Sequence, residues 1–146
     1  MRRVYVNEKW CLGCHLCEYY CAFAGTGDKD MARALKDKKI HSKIKIEEKD
    51  DVSFAVSCRH CKEPLCVKAC ITGGLTISDG VITIDKDRCV SCYTCILSCP
   101  YGAISPSDDG AVQKCELCVM THDGTPACVR GCPNEAIVFE ERGQEE

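Results

Sequence analysis

The chain has 146 residues and a formal net charge of −3, and it contains sixteen cysteines beside only one Trp, five Tyr and three Phe. This length fits one domain or two small lobes, and so few large side chains leave a thin core that something else must fill. Nucleic-acid binding is disfavoured because it usually requires a basic domain, and no stretch approaches the ~20 apolar residues of a membrane span. The N-terminal residues include no apolar signal-peptide segment, so we expect a cytoplasmic protein with reduced thiols and no direct membrane insertion.

The segments outside the cysteine groups indicate short strands and one short helix. In chain order, the sequence predicts a strand at residues 4–6, a helix at 30–38, strands at 40–46, 75–78 and 81–84, and a final strand at 137–140. Asp79-Gly80 separates two alternating runs and predicts a two-residue hairpin turn. The strand at 40–46 is predicted because isoleucines alternate there with polar residues. The expected fold class is therefore α+β, rich in loops.

The cysteines form an internal repeat of four groups of four, which is the most informative feature of the sequence. The first and third groups share the spacing C-x2-C-x2-C-x3-C, whereas the second is C-x2-C-x4-C-x3-C and the fourth is C-x2-C-x9-C-x3-C. In chain order the groups are Cys11, Cys14, Cys17 and Cys21; Cys58, Cys61, Cys66 and Cys70; Cys89, Cys92, Cys95 and Cys99; and Cys115, Cys118, Cys128 and Cys132. No cysteine is left over.

Spacing of this kind suits cubic [4Fe–4S] clusters, which need one thiolate on each iron. Three cysteines separated by two residues each can bind three irons from one tight loop, and in the bacterial ferredoxin run the fourth cysteine binds the other cluster of a pair. The groups must then work in pairs, and four groups predict four [4Fe–4S] clusters. Zinc is the less favoured alternative, because four-cysteine zinc sites typically use two separated knuckles. A disulfide scaffold is disfavoured further by the missing secretion signal.

Other chemistry is mostly absent from the sequence. It contains no phosphate-binding loop and no complete dinucleotide fingerprint, so we predict no flavin, nicotinamide or ATP site and no catalytic residue. His15 and His60 lie inside cysteine loops, where they could donate hydrogen bonds to sulfur and raise a reduction potential. The simpler expectation is that both are exposed loop residues.

The order and spacing of the four groups resemble the four-cluster ferredoxin-like subunits of multi-subunit oxidoreductases, over about residues 3–140. That family serves formate dehydrogenases, hydrogenases, the dimethyl sulfoxide reductase group and carbon monoxide dehydrogenase. The stretch at 58–66, CRHCKEPLC, is especially typical of it. Residues 11–18 and 132–136 resemble in particular the electron-transfer protein of carbon monoxide dehydrogenase and the small iron–sulfur subunit of tungsten aldehyde oxidoreductases.

The resemblance implies two bacterial 2[4Fe–4S] ferredoxin-like lobes, with a central lobe at 51–107 inserted in an outer lobe formed by 1–50 plus 108–146. Each lobe would hold two clusters. The implied ligand sets are Cys58, Cys61 and Cys66 with Cys99; Cys89, Cys92 and Cys95 with Cys70; Cys11, Cys14 and Cys17 with Cys132; and Cys115, Cys118 and Cys128 with Cys21.

The function implied by the resemblance is that of a non-catalytic electron-transfer subunit in a hetero-oligomer. Such a subunit relays single electrons through four clusters between a catalytic subunit and a second redox partner. The catalytic subunit would belong to a carbon monoxide dehydrogenase, tungsten aldehyde oxidoreductase, formate dehydrogenase or hydrogenase. A free-standing polyferredoxin is the alternative, and a structural zinc scaffold is less favoured. No nucleic-acid partner is expected.

Overall fold

Short helices and strands joined by loops make up the computed structural model, which describes residues 2–26, 28–118 and 124–142. In chain order the elements are β1 (Arg3–Val6), α1 (Leu16–Ala24), α2 (Met31–Leu35), β2 (Lys45–Lys49), β3 (Val52–Val56), α3 (Leu65–Ala69), β4 (Leu75–Ser78), β5 (Val81–Ile84), α4 (Thr94–Ser98), β6 (Ser105–Pro106), β7 (Val112–Gln113), α5 (Ala127–Gly131) and β8 (Ile137–Glu140). The strands form antiparallel pairs, β1 with β8, β2 with β3, β4 with β5 and β6 with β7. The predicted α+β class with short elements is confirmed.

Two of the strand pairs use strands that the sequence predicts. β4 and β5 form the expected hairpin, in which Ser78 lies opposite Val81. Its turn residues, Asp79 and Gly80, have φ of 49° and 78°, the left-handed conformations that a tight two-residue turn requires. β1 pairs with β8 from Arg3 opposite Glu140 onward, so the two ends of the described chain lie side by side.

The strand predicted at residues 40–46 is wrong for most of its length, because β2 begins only at Lys45. The backbone before it is held by other groups: the Ser42 hydroxyl donates to the carbonyl of Ile44, and the N–H of Lys43 donates to Cys21 Sγ at 3.3 Å. These contacts form a local turn against the first cysteine group. β2 pairs instead with β3, which the sequence analysis missed.

A short helix in each cysteine group repeats the same arrangement. The third cysteine is the second residue of the helix and is buried in every group: Cys17 in α1, Cys66 in α3, Cys95 in α4 and Cys128 in α5. The fourth cysteine follows four residues later and ends α3, α4 and α5 as their C-cap. The third and fourth cysteines of a group are therefore separated by about one helical turn. α1 packs against α5, and α3 packs against α4.

Two buried clusters of side chains, built around different helix pairs, form the core. One joins Leu75, Ile82, Ile104 and Val112 to the helix cysteines of α3 and α4. The other joins Ile44, Ala55 and Ile137 to the helix cysteines of α1 and α5. Aliphatic side chains and cysteines line both, as the scarcity of aromatics requires. None of the helices in the described ranges has the length and apolar character needed to cross a membrane.

Candidate metal centres

The first Cys-x-x-Cys turn of each cysteine group has an unusual backbone conformation directly before its second cysteine. The residue there has a positive φ in all four turns: Gly13 at 64°, His60 at 47°, Ser91 at 59° and Leu117 at 56°. A non-glycine residue in this region costs about 1–2 kcal/mol. The conformation turns backbone donors toward sulfur, because His60 N–H donates to Cys58 Sγ and Leu117 N–H to Cys115 Sγ, each at 3.4 Å. Such bonds favour the thiolate form.

The cysteines converge on cavities in a crossed manner. The cavity that we name site 1 is lined by Cys11, Cys14 and Cys17 together with Cys132, the last cysteine of the fourth group. Site 2 is lined by Cys58, Cys61 and Cys66 together with Cys99. Site 3 is lined by Cys89, Cys92 and Cys95 together with Cys70. In each site, three cysteines of one group meet the last cysteine of another.

The remaining cysteines approach one another around Cys128. Burial raises the pKa of Cys128, and the neighbouring thiolates of Cys115, Cys21 and Cys118 raise it further. Burial likewise raises the pKa of Cys115 to about 12, with Cys21 again among its neighbours. We name this group site 4. Residues 119–123, between Cys118 and Cys128, lie outside the described ranges.

Buried and exposed cysteines of one site differ in acidity. Burial raises the pKa of Cys17 to about 12 and also raises the pKa of Cys66 and Cys95. The Thr94 hydroxyl and backbone N–H hold the pKa of exposed Cys92 below its usual value. Since metals bind the thiolate, loading the buried positions must release protons.

His15 and His60, the two histidines in the cysteine loops, differ in exposure and in pKa. His60 is only 1% exposed, so the expectation of an exposed loop residue is wrong for it. Its Nδ1 accepts a hydrogen bond from the N–H of Ile82 at 3.0 Å, which leaves the ring proton on Nε2. Burial, with a smaller effect of Lys114, lowers the pKa of His60 to about 3, so the ring is neutral. His15 is half-exposed and contacts Glu18 Oε2 at 2.9 Å, which raises its pKa.

The cavities and their donors fit a multi-iron group better than one ion. Within the described ranges, no three His, Cys, Asp or Glu side chains converge tightly enough to hold a single metal ion. Sites 1 and 3 enclose about 320 and 360 Å³, counted out to their open mouths. Four thiols around such a space suit a group that takes one thiolate on each of several irons. His60 Nε2 is a buried donor without a protein partner near site 2.

Comparison with known proteins identifies the family. Residues 50–142 match the family model described as a 4Fe-4S dicluster domain, and residues 8–24 match a 4Fe-4S binding domain. An "Iron-sulfur protein" of Rhodospirillum rubrum is 35% identical, over 92% of this chain and 79% of that protein. "Electron transport protein HydN" of Escherichia coli strain K12 is 28% identical, over 98% of this chain and 90% of that protein. The "NADH-dependent phenylglyoxylate dehydrogenase subunit beta" of Aromatoleum evansii is 38% identical over 87% of this chain, which spans only 27% of that subunit.

A solved structure shares the fold. The "Active site complex BamBC of Benzoyl Coenzyme A reductase as isolated" aligns with a TM-score of 0.54 and 22% identity, over 100% of this chain and 80% of that one. At this identity the likeness concerns the fold alone. The dicluster match extends over more than half of the chain, and the Rhodospirillum rubrum relative is similar along most of both lengths. The chain therefore belongs to the 4Fe-4S dicluster ferredoxin family of iron–sulfur electron-transfer subunits.

Proposed function

We propose that the chain relays single electrons through four [4Fe–4S] clusters, one in each of sites 1 to 4, between a catalytic oxidoreductase subunit and a second redox partner. The clusters supply the one-electron chemistry, and the chain supplies four thiolates to each and backbone donors to sulfur. The chain itself carries out no catalysis. The sixteen cysteines are the proposed ligands, in the sets that line or surround the four sites.

The observation that carries the proposal is the crossed lining of sites 1, 2 and 3. Cys66 lines site 2 and Cys70 lines site 3, although the two cysteines are separated by one turn of α3. Cys95 and Cys99 connect the same two sites in the opposite direction through α4. One helical turn advances only ~5.4 Å, so each helix is a short covalent path from one site to the other. This is the ligation expected of paired clusters in bacterial ferredoxins.

We propose the two predicted lobes, with the central lobe inserted in the outer one. The packing of α3 on α4 and of α1 on α5 supports this division, as do the two separate core clusters. The β2–β3 hairpin crosses the predicted boundary at 50/51, and Ala55 of β3 packs in the outer core. Val112 of β7 packs in the central core, beyond the boundary at 107/108. We therefore move the proposed boundaries to about 57 and about 113.

The proposed partner is a catalytic oxidoreductase subunit in a hetero-oligomer. The named role of the phenylglyoxylate dehydrogenase subunit supports this, although the chain spans only 27% of that subunit's length. The carbon monoxide dehydrogenase, tungsten aldehyde oxidoreductase, formate dehydrogenase and hydrogenase partners implied by the resemblance remain proposals of the same kind. A cytoplasmic location is also proposed, supported by sixteen cysteines that are all free of disulfides.

Metal and sulfide analysis of anaerobically purified protein tests the proposal. Four clusters require about sixteen iron and about sixteen acid-labile sulfide per chain. Protein with about four zinc and no sulfide would establish the structural zinc scaffold instead. Stable co-purification with a large oxidoreductase separates a subunit from a free-standing polyferredoxin, which would purify alone and reduce several acceptors.

A further inference from the structure

Lys114 is a buried lysine that the electron-transfer role does not by itself explain. It directly precedes Cys115 and is only 1% exposed, among the most deeply buried large side chains of the described residues. Lysine is rarely buried to this extent unless its charge is paired, because removing an ammonium group from water is costly. Its burial therefore calls for a compensating partner.

The hydrogen bonds of Lys114 place its ammonium group between two of the sites. Nζ donates to the carbonyl of Cys115, the first cysteine of site 4, at 2.6 Å. It also donates to the carbonyl of Ile82, whose side chain lines site 2. His60, in the second cysteine group, accepts a hydrogen bond from the N–H of Ile82. The side chains of His60 and of Lys114, which is next to the fourth cysteine group, therefore both bind the backbone of Ile82.

No carboxylate compensates the charge of Lys114 within the part of the chain that is described. Lys114 is in none of the ion pairs found there, and Glu116, the acidic residue two positions after it, accepts from the N–H of Ile84 at 2.9 Å. Its ionisable neighbours include cysteine thiols, which become thiolates when they bind metal. Burial raises the pKa of both Cys66 and Cys115, and the Lys114 ammonium opposes part of that rise. These cysteines belong to different sites.

We propose that Lys114 is a fixed counter-charge shared by sites 2 and 4, which raises the reduction potentials of the two clusters held there relative to those at sites 1 and 3. The inference rests on the proposed function, since it assumes that both sites hold clusters. A four-thiolate cluster is anionic and gains a further negative charge on reduction, so net charge is one determinant of its potential. A buried cation stabilises the reduced form more than the oxidised form.

The arrangement also places one cation beside the clusters of both lobes. Lys114 Nζ bonds the carbonyl of Cys115 in site 4 and the carbonyl of Ile82, a residue that lines site 2, so these two sites adjoin each other across the proposed lobe boundary. A cation at this boundary makes the two inner clusters the preferred places for an electron that crosses from one lobe to the other. The clusters at sites 1 and 3, which then have the lower potentials, exchange electrons with the partners.

The test is an anaerobic redox titration followed by electron paramagnetic resonance, on the full chain and on neutral variants. Lys114→Met and Lys114→Gln remove the charge, and the Gln amide keeps an N–H donor group. Lys114→Arg keeps the charge. Lys68→Met is the matched control, because Lys68 lies between Cys66 and Cys70 but is exposed and pairs with Glu63 at the surface. Iron and sulfide are measured on every variant first.

We expect two of the four midpoint potentials to fall in the neutral variants. Each should fall by ~59 mV, which corresponds to a tenfold change in the one-electron equilibrium constant. The Arg variant and the Lys68→Met control should keep wild-type potentials. A neutral variant with full iron and sulfide and four unchanged potentials overturns the inference and leaves the proposed function intact. Wild-type protein without clusters overturns the proposed function instead.

A second variant covers the case in which neither neutral variant assembles. Glu116→Gln keeps an oxygen for the N–H of Ile84 and removes a negative charge between Cys115 and Cys118 of site 4. It should shift the potential of the site 4 cluster upward, opposite in sign to the loss of Lys114. Fully loaded Glu116→Gln protein with unchanged potentials would then contradict a control of site 4 by the charges beside Cys115.

Discussion

Replacing Gly131 with alanine should weaken the contact between α1 and α5 selectively. Gly131 is the last residue of α5, is buried, and faces Tyr20 of α1. A Cβ added at Gly131 would lie 2.3 Å from Tyr20 Cδ2 and 2.5 Å from Cγ. Optimal carbon contacts are about 3.5–4.0 Å, so the two groups must separate by more than 1 Å. Because the added Cβ would also lie 3.0 Å from Tyr20 Cβ, rotating the ring alone does not relieve the clash.

The sign of the effect follows from two opposing terms. Alanine is intrinsically better than glycine inside a helix by about 0.5–1 kcal/mol. Overpacking a well-packed interface typically costs about 1–3 kcal/mol. The clash should win, with a net loss of about 1–2 kcal/mol, which is a factor of about 5–30 in the equilibrium that exposes the helix pair. The loss falls on Cys21 and Cys132, which lie on or next to these helices.

The assay is the rate of cluster loss in a fixed concentration of urea, followed by visible absorbance and by iron retained per chain. In the Gly131→Ala protein about half of the iron should leave about 5–30-fold faster than in wild type. The other half, held by the central lobe, should leave at the wild-type rate. The expected time course therefore has two phases.

The matched control is Gly25→Ala, at the C-cap of α1. A Cβ there meets only the carbonyl of Ala22 at 3.6 Å, an ordinary contact, and the φ of −78° suits alanine. Its effect should stay within about 0.5 kcal/mol. Equal rates of cluster loss in Gly131→Ala and wild type would refute the packing argument. A single phase that removes all iron at once would refute the independence of the two lobes.

Three further predictions concern ligation, folding and charge. Cys99→Ser should disturb the cluster of site 2 and Cys70→Ser that of site 3, as resolved by electron paramagnetic resonance; a disturbance confined to the cluster of the substituted residue's own group would contradict crossed ligation. Removing the clusters with a chelator should leave a largely unfolded chain by circular dichroism, because a thin core couples folding to metal binding; a cooperative thermal transition of cluster-free protein would disprove this. The Lys86 ammonium, 2.6 Å away, and the N–H of Ala111 lower the pKa of Asp109 from 3.8 to about 2. The interactions of the Asp109 carboxylate therefore stabilise the fold fully above the unfolded pKa of 3.8, and this stabilisation is lost as the pH falls toward 2. Lys86→Met should raise the carboxyl pKa measured by nuclear magnetic resonance, and an unchanged value would rule out the ion pair as its cause.

Local chemistry explains which elements could be predicted from the sequence. The β4–β5 hairpin depends on Asp79 and Gly80, whose conformations serve the turn whatever surrounds it. The N-terminus of α2 depends on Asp30, whose side chain accepts from the N–H groups of Ala32 and Arg33. The cysteine spacing depends on the needs of the ligands themselves.

Tertiary contacts explain what could not be predicted. The alternation at residues 40–46 has the period of a strand, but Cys21 Sγ takes the N–H of Lys43, a contact that sequence periodicity does not register. Helices of five residues such as α3 are too short to show a helical repeat. The burial of His60 and Lys114 depends on both reaching Ile82, which is far from Lys114 in sequence. The sequence signal for their burial was their position, because His60 lies inside a C-x-x-C turn and Lys114 lies directly before one.

The pairing of β1 with β8 sets an order on biosynthesis. The cysteines from Cys58 to Cys99 are translated close together in time. In contrast, Cys11, Cys14 and Cys17 are translated long before Cys132, the cysteine with which they line site 1. Closing the longer loop costs only roughly 1 kcal/mol more by the logarithmic law, so the delay is one of time more than of energy. A nascent chain therefore presents all the cysteines of sites 2 and 3 while its first three thiols stay accessible to the cell's iron–sulfur donors. Pairing of β1 with β8 then brings these three thiols beside Cys132 and completes site 1.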